Sequence, residues 1–236
     1  MRVLATSFMR LNSERVPQKL LAKVGKSSLA EAMVVKLLEL RERFAGAVEV
    51  AVAVCPTDRP LVELAERLGC PVLPRSERSR DGETLEAIYG DLREQLQALH
   101  NQRLVVINPC QPFLRVETMA AYLVGELADS PPLEHPRTAV LRHRGWVWNE
   151  DLRLIHGDAM PNTKRSPAFH TLSHAFFSYP IGVLGKSAQM DFRHFFTLEP
   201  GPELIDIDTP ADLEFARSYA RGLESTAVPA SEATTP

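Results

Sequence analysis

Two aspartates near the end of the chain, Asp206 and Asp208, stand two positions apart in an apolar run and can bind one cation together. The run predicts a strand over residues 204–207. On a strand, side chains at positions i and i+2 point to the same face, about 7 Å apart. The two carboxylates would then share a Mg²⁺ ion whose octahedral shell is completed by phosphate oxygens of a substrate. As an alternative, Asp208 or Thr209 caps the helix that Pro210 begins, although a cap does not explain Asp206.

A basic loop (residues 10–19) follows the first predicted strand, which covers residues 3–8. Residues 1–26 carry six basic side chains and one acidic side chain, whereas the whole chain has a net charge of −3 at pH 7. This asymmetry favours a local anion site over a nucleic-acid surface, and a solvated basic loop is the alternative. Ligands of open α/β sheets bind outside the carboxyl ends of the strands, where this loop must lie. Its cations, amides and hydroxyls suit the triphosphate of a nucleotide. The loop supplies Arg10, Asn12, Ser13, Arg15 and Lys19.

A third polar motif follows the predicted strand over residues 103–107. Asn108 and Gln111 are framed by Pro109 and Pro112, which would give a pocket a rigid rim. An ordinary turn between a strand and a helix explains the same residues equally well.

Two further patterns do not predict sites. Residues 25–27 resemble the end of a P-loop, but Leu20 stands where the first glycine of that motif belongs. His170 and His174 would lie about 14 Å apart on one strand, which is too far for a shared metal.

Strands and helices alternate along most of the chain, which predicts an α/β fold with a mainly parallel sheet and helices on both faces. The alternation breaks over residues 142–168, a polar and aromatic stretch predicted to protrude as an arm. We expect one domain over residues 1–222 and a disordered tail over residues 223–236. The other predicted strands cover residues 49–54, 71–73, 138–141 and 173–179, and the predicted helices cover residues 29–44, 60–68, 83–99, 116–127 and 210–219.

The composition is that of an ordinary globular protein: 236 residues, of which 44% are hydrophobic and 24% charged. It excludes a collagen-like or wholly disordered chain. The three cysteines are widely spaced, which argues against a disulfide framework and favours a reducing compartment. Residues 1–8 lack the apolar core of a signal peptide, and no run of about 18 apolar residues occurs. We therefore expect a cytoplasmic protein without a membrane partner.

Three motifs, in order, resemble the acylneuraminate cytidylyltransferase family, which includes the CMP-sialic acid synthetases and has the CMP-Kdo synthetases as relatives. They are R-x-N-S-x-x-V-P-x-K at residues 10–19, N-P-x-x-P at residues 108–112 and I-D-I-D-T-P-x-D-L at residues 205–213. The resemblance covers most of residues 1–220. It implies a three-layer, Rossmann-like nucleotidyltransferase fold and a homodimer joined through the arm. It also implies a Mg²⁺-dependent reaction in which the anomeric hydroxyl of an acidic sugar attacks the α-phosphate of CTP and pyrophosphate leaves.

The resemblance further implies roles for single residues. The basic loop falls on the triphosphate site, where Arg10 and Lys19 would stabilise charge on the departing pyrophosphate. Asp206 and Asp208 fall on the metal carboxylates, with Asp208 expected to be essential for turnover. Arg75 lies beside the position of an arginine-proline pair that contacts the cytidine. The sugar is expected at Asn108, Gln111, Ser173 and His174.

The chain departs from the family pattern at several of these places. Glu14 stands where the family has lysine, Leu20 where it has asparagine, and Thr171 where an arginine often lies near the acidic sugar. Two alternatives therefore stay open. One is a nucleotidyltransferase-like domain that binds nucleotide with weak or no catalysis, and the other is a glycosyltransferase that uses a sugar nucleotide.

Overall fold

A computed structural model describes residues 2–128, 134–151, 153–155 and 166–226. Within these ranges the chain forms one seven-stranded sheet with helices on both faces, so the predicted α/β fold is confirmed. The strands are β1 (Val3–Met9), β2 (Lys23–Val24), β3 (Ser27–Ser28), β4 (Val48–Val54), β5 (Val72–Pro74), β6 (Arg103–Ile107), β7 (Arg137–Arg144), β8 (Ala168–Pro180) and β9 (His194–Leu198). The α-helices are α1 (Leu29–Arg43), α2 (Arg59–Arg67), α3 (Glu77–Asp81), α4 (Leu85–Ala98), α5 (Val116–Ala128) and α6 (Pro210–Thr226).

The sheet is mainly parallel, with strand order β5-β4-β1-β6-β8-β7-β9. β1 pairs in parallel with β4 and β6, β4 with β5, and β7 with β9. β8 runs antiparallel between β6 and β7. The short strands β2 and β3 form a separate hairpin. Because β1 and β6 are central and parallel, the residues that follow them meet at one edge of the sheet.

Hydrophobic side chains cover both faces of the sheet. Val3 and Ala5 of β1 belong to a large core that also contains buried residues of α1, α2, α5 and α6. Leu4 points to the opposite face, where a smaller core includes Leu92 and Leu96 of α4. Burial on both faces explains why the central strands are almost wholly apolar. Within the described ranges, no helix combines the length and apolarity that crossing a membrane requires.

The predicted strand over residues 204–207 is wrong. A 3-10 turn covers Pro202–Leu204, and the acidic segment (residues 205–208) that follows has no regular secondary structure. The segment lies across the end of β6, where the Ile207 N–H donates to the carbonyl oxygen of Cys110 at 3.0 Å. Period-2 patterning reports an extended backbone but not a strand partner, so it cannot separate this crossing from a sheet strand.

The predicted arm begins as a ribbon formed by β7 and β8. These strands are longer than predicted and pair as far as Arg144 and Ala168. An isolated antiparallel bridge then joins Trp148 to Leu154. Residues 152 and 156–165 of the arm lie outside the described residues, so its role as a dimer contact stays a prediction. The closing helix α6 extends to Thr226, four residues into the predicted tail, and residues 227–236 also lie outside the described residues.

Strand β9 was not predicted from the sequence. It alternates partly buried and exposed side chains and pairs with β7 at the edge of the sheet. Phe195 and Phe196 are adjacent, so the segment lacks the strict alternation of apolar and polar residues that predicts a half-buried strand.

A buried ion cluster joins β6, α5 and β8 at the amino end of β6. Glu126 and Arg103 are 1% exposed each, and their charged groups approach to 2.7 Å. The Ser178 hydroxyl donates to Glu126 at 2.7 Å, and Arg137 lies 3.5 Å from the same carboxylate. Removing one member of a buried pair leaves the other charge uncompensated, which costs more than the pair contributes.

We predict that Glu126→Gln lowers the free energy of unfolding by about 3 kcal/mol, because Arg103 stays buried without its counter-charge. Urea denaturation at neutral pH measures the change. The control is Glu214→Gln, which removes an exposed pair with Arg217 at 2.6 Å and is expected to change stability by less than about 0.5 kcal/mol. Equal effects of the two substitutions would contradict a structural role for the buried cluster.

Candidate active site

A cavity of about 480 Å³ opens at the carboxyl ends of β1 and β6, a size typical of small-molecule sites. The basic loop, which follows β1, forms one side. The turn after β6 and part of β8 form the other side, and the acidic segment reaches the cavity through Asp208. Its lining residues are Phe8, Arg10, Ser13, Glu14, Arg15, Lys19, Leu20, Tyr89, Val106, Ile107, Asn108, Pro109, Cys110, His174, Phe177 and Asp208.

Two apolar residues anchor the basic loop and turn its polar side chains toward the cavity. Val16 and Leu20 are 6% and 3% exposed and belong to the large core. Between them, Gln18 has φ 51°, a left-handed conformation that reverses the chain before the short 3-10 turn Lys19–Leu21. The cavity receives Arg10, Ser13, Arg15 and Lys19 as predicted, whereas Asn12 is exposed and outside the lining.

Cations of the basic loop bind the acidic segment directly. Lys19 Nζ donates to the carbonyl oxygen of Ile207 at 2.6 Å and lies 3.3 Å from Asp208 Oδ1. Arg15 Nη2 donates to the same Oδ1 at 3.0 Å. The two sequence motifs, which are separated by most of the chain, therefore form one site.

Asp206 is bound to the cavity residue Asn108 but does not itself line the cavity. Its Oδ2 accepts a hydrogen bond from Asn108 Nδ2 at 2.9 Å, and Asn108 Oδ1 accepts from the Cys110 N–H at 2.9 Å. Burial, and then the negative charge of Asp208, raise the pKa of Asp206. The two carboxylates therefore interact unfavourably, and a cation between them would relieve both effects.

The proposed helix cap involves Thr209, not Asp208. The N–H groups of Asp208 and Thr209 donate to Asp212 Oδ2 at 3.1 and 2.7 Å, and the Asp212 N–H donates to the Thr209 hydroxyl at 3.3 Å. This reciprocal arrangement is a capping box at the start of α6. The Asp208 carboxylate takes no part in this cap, so it can interact with Arg15 and Lys19 and line the cavity.

The donor set suits magnesium better than zinc. No group of three or more His, Cys, Asp or Glu side chains placed to hold a metal exists in the described part of the chain. Mg²⁺ is commonly bound by one or two carboxylates together with substrate phosphates and water. Asp206 and Asp208 meet that requirement beside the cations of the basic loop, so the residues fit the ion.

Two of the residues expected to contact a sugar lie beneath the cavity surface. Gln111 is 1% exposed and donates to the carbonyl oxygen of Ser173 at 3.1 Å. The Ser173 hydroxyl, also buried, accepts from the Ala175 N–H at 3.3 Å. Neither side chain lines the cavity, whereas Asn108 and His174 do. In this conformation Gln111 and Ser173 support the bend of β8 that carries His174.

Arg75 is buried behind an aromatic wall (Phe8, Tyr89 and Phe177). Its guanidinium carbon lies 4.5 Å from the centre of the Phe8 ring, and its Nε donates to Ser79 Oγ at 3.1 Å. Burial lowers the pKa of Arg75. The arginine is not in the cavity lining and packs against the cavity residue Phe8 from behind.

The aromatic wall is the part of the site that motif reasoning missed. Phe8 and Tyr89 lie with ring centres 5.4 Å apart, and both rings and Phe177 belong to the margin of the smaller core. The signal in the sequence was the position of Phe8 at the end of the predicted strand over residues 3–8, directly before the basic loop. Aromatic residues on strands are usually assigned to a core, and here they are both core and cavity wall.

No protein-family model matches the chain, and no curated protein matches it. Solved structures share its fold at low identity. A CMP:2-keto-3-deoxy-manno-octonic acid synthetase complexed with CTP is 16% identical with a TM-score of 0.66, over 94% of this chain and 100% of that chain. The 4-diphosphocytidyl-2C-methyl-D-erythritol synthase of Anaerococcus prevotii is 12% identical with a TM-score of 0.61, over 93% and 98%. A cytidylyltransferase of Leptospira borgpetersenii is 14% identical with a TM-score of 0.55, over 95% and 92%.

The chain has the fold of the cytidylyltransferases. This result confirms the nucleotidyltransferase fold class and gives no preference to the acylneuraminate family over its relatives. Within the cytidylyltransferase fold, the cavity at the carboxyl ends of β1 and β6 holds most of the residues that the sequence motifs predicted.

We predict that Asp206→Asn raises the melting temperature at pH 7 in the absence of divalent cations. The folded state raises the pKa of Asp206, so ionisation of this carboxyl destabilises the fold as pH rises through that pKa. The gain should shrink as pH falls and disappear at about pH 3, below the ordinary pKa of aspartate, where the carboxyl is protonated in both states. Thermal unfolding from pH 3 to 8 measures it.

The matched control is Asp212→Asn, because hydrogen bonds from Thr209 lower the pKa of that carboxyl. Its stabilisation is present above the ordinary pKa and is lost as pH falls through the lowered one. Asp212→Asn should therefore destabilise the protein at pH 7 by about 1 kcal/mol. The same sign for both variants would contradict the assignment of opposite environments to the two aspartates.

Proposed function

We propose that the protein transfers a cytidylyl group from CTP to the anomeric hydroxyl of an acidic sugar, sialic acid-like or Kdo-like, and releases pyrophosphate. One observation carries the proposal: the contact of Lys19 and Arg15 with Asp208 joins the basic loop to the acidic segment, which carries two carboxylates, at the edge of one cavity. Cations beside a carboxylate pair suit a polyphosphate with its metal better than a neutral ligand. The fold shared with the cytidylyltransferases supports the choice of reaction class.

The basic loop would hold the triphosphate. Arg10, Arg15 and Lys19 line one side of the cavity, where their charges would neutralise phosphate oxygens. Asp208 contacts Arg15 and Lys19, so a bound triphosphate would take over part of these contacts. Arg10 and Lys19 would also stabilise the charge that builds on the pyrophosphate as it leaves.

Asp206 and Asp208 would hold Mg²⁺, which when bound supplies charge neutralisation at the α-phosphate. Asn108 keeps Asp206 in place, and Lys19 fixes the backbone on which both carboxylates stand. Positioning and electrostatic stabilisation supply most of the rate enhancement in phosphoryl-type transfer, and these residues provide both.

The acceptor would occupy the side of the cavity near Asn108 and His174. Its hydroxyl oxygen forms a bond to the α-phosphorus of CTP, the bond from that phosphorus to the bridging oxygen of pyrophosphate breaks, and the hydroxyl proton is released. The products are the CMP-sugar and pyrophosphate.

We also propose that the protein is a homodimer joined through the arm. Two arm residues in the described ranges, Trp148 and Ile155, are 50% and 63% exposed. Exposed apolar side chains on a projecting ribbon are typical of an interface.

A nucleotide-binding domain of low activity is the second candidate. The observation that favours it is Glu14, an exposed carboxylate that lines the cavity among the loop cations. A negative charge there opposes the binding of a polyphosphate.

We predict pyrophosphate release when the protein is incubated with CTP, Mg²⁺ and a panel of acidic sugars. Asp208→Asn should reduce turnover by orders of magnitude while the protein stays folded, because it removes one metal carboxylate. Glu214→Gln, which removes an exposed carboxylate of α6, serves as the control and should turn over normally. Absence of release with every sugar, together with absence of a CTP-induced shift in melting temperature, would reject both candidates.

We predict that Glu14→Gln tightens CTP binding by about 1 kcal/mol at low salt, because it removes repulsion between a carboxylate and the phosphates. Isothermal titration calorimetry measures the affinity, and the gain should shrink as salt is added. Glu39→Gln makes the same charge change on α1, outside the cavity lining, and should leave the affinity unchanged. Equal gains for both variants would mean that net charge, and not the position of Glu14, sets the affinity.

A further inference from the structure

His174 holds a backbone conformation that is unfavourable for histidine. Its φ is 57°, in the left-handed region where glycine is preferred. Among the described residues, the other non-glycine positions with positive φ are Gln18 and His100. Gln18 belongs to the basic loop, so two of these three positions flank the cavity. Strained conformations of this kind persist where the surrounding structure holds them and are concentrated at functional sites.

Packing does not account for the imidazole. His174 is exposed, whereas its neighbours Ser173 and Ala175 are buried. The ring centre lies 6.0 Å from that of Phe177, and no hydrogen bond joins the imidazole to another residue in the described ranges. The fold would therefore tolerate glycine at this position, and the side chain needs another explanation.

The other polar groups on this side of the cavity already have partners. Asn108 uses both ends of its amide, toward Asp206 and toward the Cys110 N–H. The Tyr89 hydroxyl is hydrogen-bonded within the smaller core. The Cys110 thiol interacts with Lys19. The imidazole of His174 is thus the polar group here that remains available to a ligand oxygen.

Arginine and lysine side chains do not supply a hydrogen bond to a ligand oxygen on this side of the cavity. In the described lining, every such side chain belongs to the basic loop. Thr171, three residues before His174, instead lies 2.8 Å from the His143 Nε2 on the ribbon and does not reach the cavity. Among the carboxylates of the site, Asp206 interacts electrostatically with His174.

We infer that His174 determines acceptor specificity: its imidazole hydrogen-bonds an oxygen of the acceptor, and Phe177 packs against the apolar face of the acceptor ring. The ligand class is a polyhydroxylated ring, because such a molecule offers both hydroxyl oxygens and a C–H face. This inference rests on the proposed transfer reaction and adds to it the residue that recognises the acceptor.

Steady-state kinetics with CTP and the acceptor varied separately tests the inference. His174→Gly should raise the KM for the acceptor about tenfold, the value of one lost hydrogen bond of average to high strength. The KM for CTP should change less than about twofold. The melting temperature should not fall, because glycine relieves the left-handed backbone. His174→Asn, which suits the same backbone and can hydrogen-bond, should give an intermediate KM.

His100→Gly is the matched control, since His100 has the same φ of 57° and lies after α4, outside the cavity lining. It should raise the melting temperature without changing either KM. An unchanged acceptor KM in His174→Gly would overturn the inference while leaving the transfer reaction intact. An equal rise in the KM for CTP would reassign His174 to the nucleotide. Absence of pyrophosphate release by the unaltered protein with every acceptor would overturn the proposed function, and the acceptor role of His174 with it.

Discussion

The placement of residues 205–208 across the end of β6 is the constraint on which the site depends. One backbone hydrogen bond, from Ile207 to Cys110, and one side-chain bond, from Lys19 to the Ile207 carbonyl, hold this span without a strand partner. The second bond joins residues 188 positions apart. Since β1 and β6 are adjacent and parallel, the basic loop and the turn after β6 are already together, and the crossing segment brings the carboxylates to them. The cavity exists because these three pieces of chain meet at one edge of the sheet.

Charge in the site is balanced between the two motifs. Arg15 and Lys19 face Asp208, and Glu14 adds a negative charge to the same cavity. Asp206 instead accepts its hydrogen bond from the neutral amide of Asn108, and Lys19 only partly offsets the burial of its charge. Its raised pKa is the electrostatic consequence of burial beside Asp208. A ligand that combines negatively charged phosphates with a cation would suit this site. The phosphates would pair with the cations of the basic loop, and the cation would pair with the carboxylates.

Several residues near the cavity have a backbone conformation or an electrostatic environment that is locally unfavourable. Gln18 and His174 both occupy left-handed conformations that glycine would adopt more easily, and Asp206 is a desolvated acid next to another acid. Elsewhere the local features agree with the fold: Ser28 and Thr84 cap α1 and α4, and Thr209 caps α6. Departures of this type are expected where function opposes stability. The buried Arg103–Glu126 pair lies at the opposite end of β6, so the sheet is stabilised away from its site.

The order of the central strands and the main helices followed from the sequence, because apolar runs such as residues 49–54 and 103–107 leave little choice when both faces of a sheet are covered. The sequence also determined which side chains have the chemistry to bind phosphate or metal, since residue type and spacing do not depend on the fold. It did not determine that residues 204–207 lack a strand partner, that Gln111 and Ser173 are buried, or that Phe8 and Tyr89 form a wall of the cavity. Those facts depend on which segments lie side by side. Contacts between residues that are far apart in the sequence leave no periodic pattern in the sequence. Only the tertiary structure decided that Asp208 faces Lys19 and Arg15, because that contact requires the last helix to return to the end of the first strand.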